Sequence, residues 1–218
     1  MDRLTIQHLK SSVTDFLRSV SNTPIAELYG VTDGKAVGTY VERQFTQYLK
    51  QKFIFEEGNA AKGIDFPDIA VDLKVTSSRQ PQSSSPFRSA SQKVYGLGYH
   101  LLVFVYNKVD DDAQSVTKLI FENAIFVHRD HTADFQTTRG ILDILSRDGN
   151  LDDIDAFLED RNLPVDEMGR RQLAERILQN PPQQGYITVS NALQWRLQYG
   201  RAIRLASEGG SEGLTNLL

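Results

Sequence analysis

The chain has 218 residues, 40% of them apolar and 24% charged, with a formal net charge of −4, the profile of an ordinary globule long enough to bury a core. It contains no cysteine, which excludes disulfides, thiolate zinc sites and a cysteine nucleophile, so any metal would be held by oxygen or imidazole. No apolar stretch reaches the length of a bilayer span and the amphipathic start MDRLTIQHLK has no signal-peptide core, so no membrane association and a cytoplasmic location are expected.

In chain order, residues 4 to 20 set Leu9, Val13, Phe16, Leu17 and Val20 at helical spacing, which predicts an amphipathic helix. Thr23 and Pro24 suit the cap and first turn of a short helix ending near Gly30. From Lys35 onward, KAVGTYVERQFTQYLKQKF repeats apolar residues at Val37, Val41, Phe45, Tyr48 and Leu49, a second amphipathic helix. FIFEE at 53 to 57 and IAVDLKVT at 69 to 76 predict strands, parted by a polar turn rich in Gly, Asn and Ala. The Ser-, Gln- and Pro-rich stretch from 77 to 92 is the least ordered by composition. YHLLVFVYN at 99 to 107 is almost unbroken apolar sequence, as a strand covered on both faces requires, and KLIFENAIFVH at 118 to 128 predicts a further strand. Asp110, Asp111 and Asp112 fall in the turn between them, where solvation is expected. Helices are predicted near 133 to 147, 151 to 160 and 167 to 179, then GYITV and a last helix capped by Ser190. The class is α/β, with a central mixed β-sheet flanked by helices.

One strand carries more charge than its packing requires. In IAVDLKVT, Ile69, Val71, Leu73 and Val75 point one way while Asp72 and Lys74 share the other face. Asp65 lies seven residues before Asp72, and a tight turn through Phe66 and Pro67 would return its carboxylate to Asp72. Two carboxylates at one point repel unless a cation neutralises them, and oxygen ligands of this kind suit Mg²⁺. A lysine beside them can orient water or stabilise charge developing on phosphorus. The alternative is a solvated cross-strand Asp–Lys pair. Glu42 sits beside the buried stripe of its helix, where an unpaired carboxylate is costly, and Glu56 and Glu57 are rival third acids.

Asp65, Asp72-Leu73-Lys74 and the preceding helical Glu42 resemble the PD-(D/E)xK nuclease superfamily, and within it the MutH-like group of mismatch-repair and restriction nucleases. The likeness lies in DFPDIAVDLKV, with weaker echoes in VGTYVERQF and GYITVSNALQWRL. Asp72 stands where Glu is commoner in that group. The resemblance implies a restriction-endonuclease-like fold and a type II restriction enzyme: a Mg²⁺-dependent, sequence-specific hydrolase of double-stranded DNA that leaves 5′-phosphate ends. It makes Asp65 and Asp72 metal ligands, Lys74 the residue that positions or activates water, and Glu42 an accessory acid. Lys93 is a further candidate because it precedes a buried strand, the alternative being an ordinary exposed helix lysine. A single nuclease domain over 1–218 follows, with an N-terminal helical part (1–35), a catalytic core (36–130) and a helical DNA-binding part (131–218). Palindromic cutters commonly form homodimers, but the group also includes monomers, so both states stay open.

DNA contacts are expected from two segments. Arg79, Gln80, Gln82 and Arg88 follow the acid-bearing strand, and Tyr186, Ser190, Asn191, Gln194, Arg196 and Arg201 combine residue types that read base edges or grip phosphate. From Met168 to Arg204 there are six arginines against one glutamate, while the stretch from Asp143 to Glu167 holds nine acids against two arginines. A cationic C-terminal segment can thus bind a polyanion in an acidic protein. A strand-nicking repair nuclease and a non-catalytic DNA-binding module are the competing functions. His128 and His131 lack further zinc ligands, and no phosphate-binding GxxxxGK[ST] loop is present.

Overall fold

The structure is a computed structural model and describes residues 1–58, 63–190 and 196–218. In chain order it comprises β1 (Asp2–Arg3), α1 (Ile6–Ser21), α2 (Gly34–Lys50), β2 (Phe53–Ile54), β3 (Val71–Ser77), β4 (Gln82–Ser84), α3 (Ala90–Tyr95), β5 (His100–Asp111) and β6 (Val116–Val127). There follow α4 (Phe135–Ser146), α5 (Leu151–Asp160), α6 (Glu167–Gln179), β7 (Thr188–Val189), β8 (Arg196–Gln198), α7 (Gly200–Ser207) and β9 (Leu214–Asn216). The fold is mixed α/β. Its central sheet runs in the order β3-β5-β6-β9, β1 pairs with β2 in parallel and β7 pairs with β8 antiparallel.

Two compact units are present. The first comprises Met1–Ser83, Leu101–Phe126 and Ile203–Leu218, and the second Ser84–His100 and Val127–Ala202. In the first, Thr5 caps α1 by accepting the His8 N–H and Asp33 caps α2 by accepting the Lys35 N–H, the expected use of short oxygen-bearing side chains at helix starts. The predicted stripes are the buried ones: Leu9, Val13, Phe16 and Leu17 on α1, and Val37, Val41, Phe45 and Leu49 on α2. Phe16 and Phe45 pack on Phe104 of β5, with ring centroids 6.3 and 5.3 Å apart. From His100 to Tyr106, β5 is buried throughout, as its unbroken apolar run requires.

Three segments differ from the sequence reading. Strand β2 is only two residues long because its partner β1 offers only two, and the chain then turns toward Asp65, with the Gly58 N–H on the Asp65 carbonyl at 2.9 Å. Asp110 and Asp111 extend β5 instead of lying in the turn, Asp111 accepts the N–H groups of Ala113 and Gln114, Asp112 accepts from the Tyr29 hydroxyl, and Asp110 and Asp112 are exposed as expected. The last helix begins at Gly200. Arg196, Leu197 and Gln198 alternate exposed, buried and exposed as β8, a period-2 pattern too short to stand out in the sequence.

In the second unit, α3 to α6 enclose Val94, Ile141, Ile154, Leu158, Ala174 and Ile177. Asn150 and Asp153 form a reciprocal capping box at the start of α5.

Candidate active site

The site begins with a turn. Phe66 and Val71 form an antiparallel bridge, each N–H on the other's carbonyl at 2.9 and 3.2 Å, around the single 3₁₀ turn Pro67–Ile69. Proline at the start suits that turn, and Ala70 completes the reversal in the left-handed region at φ 50°. Asp65 is thereby folded back onto β3, where its Oδ2 accepts the Leu73 N–H at 2.8 Å. Asp68, on the turn itself, accepts the Glu56 N–H at 3.0 Å.

Asp72 and Lys74 share a face of β3, as the alternation predicted. Asp72 is 2% exposed. Lys74 Nζ stands 2.7 Å from its Oδ2, an ion-pair distance, but the angles do not make a hydrogen bond, so this buried oxygen has no aligned donor. Burial pushes the Asp72 carboxyl up to about 7; Lys74 opposes the rise and Asp65 adds to it. Glu42 is half-buried on the face of α2 that packs against β3. Its carboxyl is also raised, by burial first and then by Asp65, with Lys74 opposing. Asp65 thus acts on both Asp72 and Glu42, and the Lys74 ammonium opposes it at each. Glu57 is instead paired with Lys50 at the end of α2, and both Glu56 and Glu57 are exposed.

Among the described residues no group of three or more His, Asp or Glu is arranged to hold a metal ion by side chains alone. Mg²⁺ keeps several waters and needs only one or two carboxylates, so the Asp65–Asp72 pair, with its unaligned buried oxygen, fits it.

The segment from 77 to 92 is more ordered than its composition suggests. Buried Thr76 accepts the Gln82 N–H at 3.0 Å and the Ser78 N–H bonds the Tyr106 carbonyl at 2.8 Å, leaving Arg79 and Gln80 exposed on a held loop and Gln82 half-buried. Arg88 is exposed. Lys93 is not an exposed helix lysine: it is 2% exposed on α3, and its ammonium pKa is lowered by burial, with Asp134 opposing and Arg161 adding. Tyr186 is buried and stacks on His131 at 5.2 Å, while Arg201 lies over the Phe135 ring at 3.4 Å. Ser190 Oγ accepts the Arg196 N–H at 3.0 Å, and the Arg196 side chain is exposed. Asn191 and Gln194 lie outside the described residues.

Two residues escaped the sequence reading. Asp68 tethers the turn, and Asp134, 1% exposed, caps α4. Asp134 accepts the Thr137 N–H and hydroxyl at 2.9 and 2.6 Å and the Val189 N–H at 2.9 Å. The second was signalled by an aspartate opening the helical stretch FQTTRGIL.

A mixed sheet flanked by helices, with Asp72 and Lys74 on its edge strand, is a restriction-endonuclease-like architecture. The chain belongs to the family described as Type II restriction enzyme NspV, which it matches over residues 3–216. It is similar to the type II restriction enzyme NspV of Nostoc sp. (strain ATCC 29411 / PCC 7524), with 55% identity over 208 residues that cover 95% of this chain and 94% of the relative. No solved structure matches it. The chain is therefore an enzyme, a restriction endonuclease that binds and hydrolyses DNA. No helix among the described residues is long and apolar enough to cross a membrane.

Proposed function

We propose that this restriction endonuclease works by PD-(D/E)xK chemistry of the MutH-like kind, cutting double-stranded DNA at a specific sequence with Mg²⁺ and leaving 5′-phosphate ends. The observation that carries this reading is the bond from the Leu73 N–H to Asp65 Oδ2, which folds the first acid onto the strand of the second. Asp65 and Asp72 would hold the metal, with Glu42 as the accessory acid. Bound there, Mg²⁺ would supply positive charge to polarise the scissile phosphate.

The chain's own groups do the rest. Asp72, buried and in ion-pair contact with Lys74, keeps at the sheet edge a carboxylate oxygen that has no aligned hydrogen-bond donor. Lys74 orients the attacking water in line with the leaving 3′-oxygen and faces the negative charge that builds on the phosphate. The P–O3′ bond breaks as the new P–O bond forms, the 3′-oxygen takes up a proton, and the phosphate stays on the 5′ side. Arg79 and Gln80, displayed on the loop that follows β3, approach the duplex. Residues 131–218 supply further DNA contacts through Arg196 and Arg201.

The test is incubation of the full chain with long, sequence-diverse DNA in Mg²⁺ or EDTA. Discrete fragments are expected only with Mg²⁺, and Lys74→Ala and Asp72→Asn should each slow cleavage by about 10²-fold or more. Wild-type rates in either variant would remove the assigned roles. Accumulation of nicked plasmid without linear product would favour the strand-nicking alternative.

A further inference from the structure

The arginines of the second unit divide into two groups that the sequence alone runs together. Arg170 pairs with Asp155 and Glu159, Arg171 with Asp152, and Arg147 with Asp143, so this side of α4, α5 and α6 is internally neutralised. At the other end of α4 the situation reverses. Arg201 lies 3.4 Å above the Phe135 ring centroid, and Arg139, one turn along α4 from Phe135, lies 5.9 Å from the same centroid. Exposed Arg196 is on β8, whose partner β7 joins the start of α4 through the bond from the Phe135 N–H to the Ile187 carbonyl at 2.7 Å. Among the described residues no acid pairs with the guanidinium of Arg139 or Arg196.

Two like charges on one aromatic ring repel. The ring's negative face offsets part of this, and the exposed N–H groups of Arg139, which no acid among the described residues answers, still call for an anion. We propose that exposed Arg139 and Arg196 form a surface for the backbone phosphates of the DNA duplex, with Arg139 as a DNA-binding residue. Planar guanidinium groups match phosphate oxygens bidentately. The partner follows from charge complementarity and from the chain's family, whose substrate is the polyanion such a surface fits. The surface owes nothing to the acid cluster, so this inference stands or falls apart from the metal reading.

The experiment measures duplex binding by the full chain in EDTA across a series of KCl concentrations. Each phosphate contact contributes about one unit to the slope of log affinity against log salt. Arg139→Gln should weaken binding and flatten the slope by about one unit, to the same extent on cognate and random duplexes, because a phosphate contact carries no sequence information. Arg139→Lys should keep most of the slope and Arg139→Glu should weaken binding further than Gln. Arg171→Gln, whose guanidinium is paired with Asp152, should keep the wild-type slope. A wild-type slope in both Arg139→Gln and Arg139→Glu would overturn the proposal, as would an equal loss in Arg171→Gln. Loss confined to the cognate duplex would also overturn it, making Arg139 a base reader.

Discussion

Asp72 shows how one residue can be costly to the fold and, in the proposed site, useful to the chemistry. A carboxylate 2% exposed is stabilised in its protonated form, and Lys74 offsets only part of that preference. Its folded value of about 7 lies above the ordinary carboxylate value of 3.8. Between those values the folded chain binds a proton that the unfolded chain has lost, so stability falls as pH rises through this window and levels off above about 7. In EDTA, Asp72→Asn should therefore melt close to the wild type near pH 4 and above it at pH 8. Melting temperatures that differ by the same amount at both pH values would falsify this. Since Asn keeps the shape and loses the charge, the same variant that gains stability in EDTA should lose cleavage, the trade expected where a functional group is strained against its surroundings.

At the level of elements, close approach between neighbours decides which substitutions are tolerated. Gly38 lies in α2 where a methyl group would meet Val75 O at 3.8 Å and Glu42 Oε1 at 4.0 Å, ordinary contacts. Gly38→Ala should raise stability by about 1 kcal/mol, the helix-propensity gain, and cleavage should persist because Glu42 is not displaced. Gly140 in α4 is the opposite case. A Cβ there would fall 2.2 Å from the Phe157 ring of α5, so Gly140→Ala should cost about 1–3 kcal/mol by overpacking, and Phe157→Leu in the same chain should restore part of the loss. Denaturant melts of the three variants check both expectations. Asp134→Ala removes a helix cap and strands the buried Val189 N–H, at a cost on the order of 3 kcal/mol. A melting temperature within a degree of the wild type would show that water replaces the carboxylate.

For the molecule as a whole, a net charge of −4 gives no hint of a DNA-binding enzyme. The acids of α5 answer the arginines at the start of α6, while Asp72 of β3 and the preceding Asp65 gather beside Lys74. Among the described residues, exposed Arg139 and Arg196 are left with no acid paired to them. If the P–O3′ bond is the one that breaks, as proposed, the fragments should be joined by DNA ligase without prior treatment with kinase. Ends that require a kinase would reverse the direction of attack.

Much of this was legible from residue order. The stripes of α1 and α2, the buried run of β5 and the shared face of Asp72 and Lys74 follow from periods of 3.6 and 2, which are local properties of the backbone. The return of Asp65 could be anticipated from the Phe66-Pro67 turn, but the bond that fixes it needs Leu73 N in place. The three-residue strand β9 was not legible, because so short a segment is defined by its neighbour: the Leu217 N–H bonds the Ala124 carbonyl on β6 only once the chain has closed. Likewise the sequence shows six arginines against one glutamate between Met168 and Arg204. Which are neutralised depends on Asp152 and Asp155, brought to them by the packing of α5 on α6. The sequence by itself therefore determined the long elements and the chemical types at the proposed site, because these depend on near neighbours along the chain. Only the tertiary structure decided which charges are buried, paired or left for a ligand, because electrostatics and desolvation act through space between residues far apart in order.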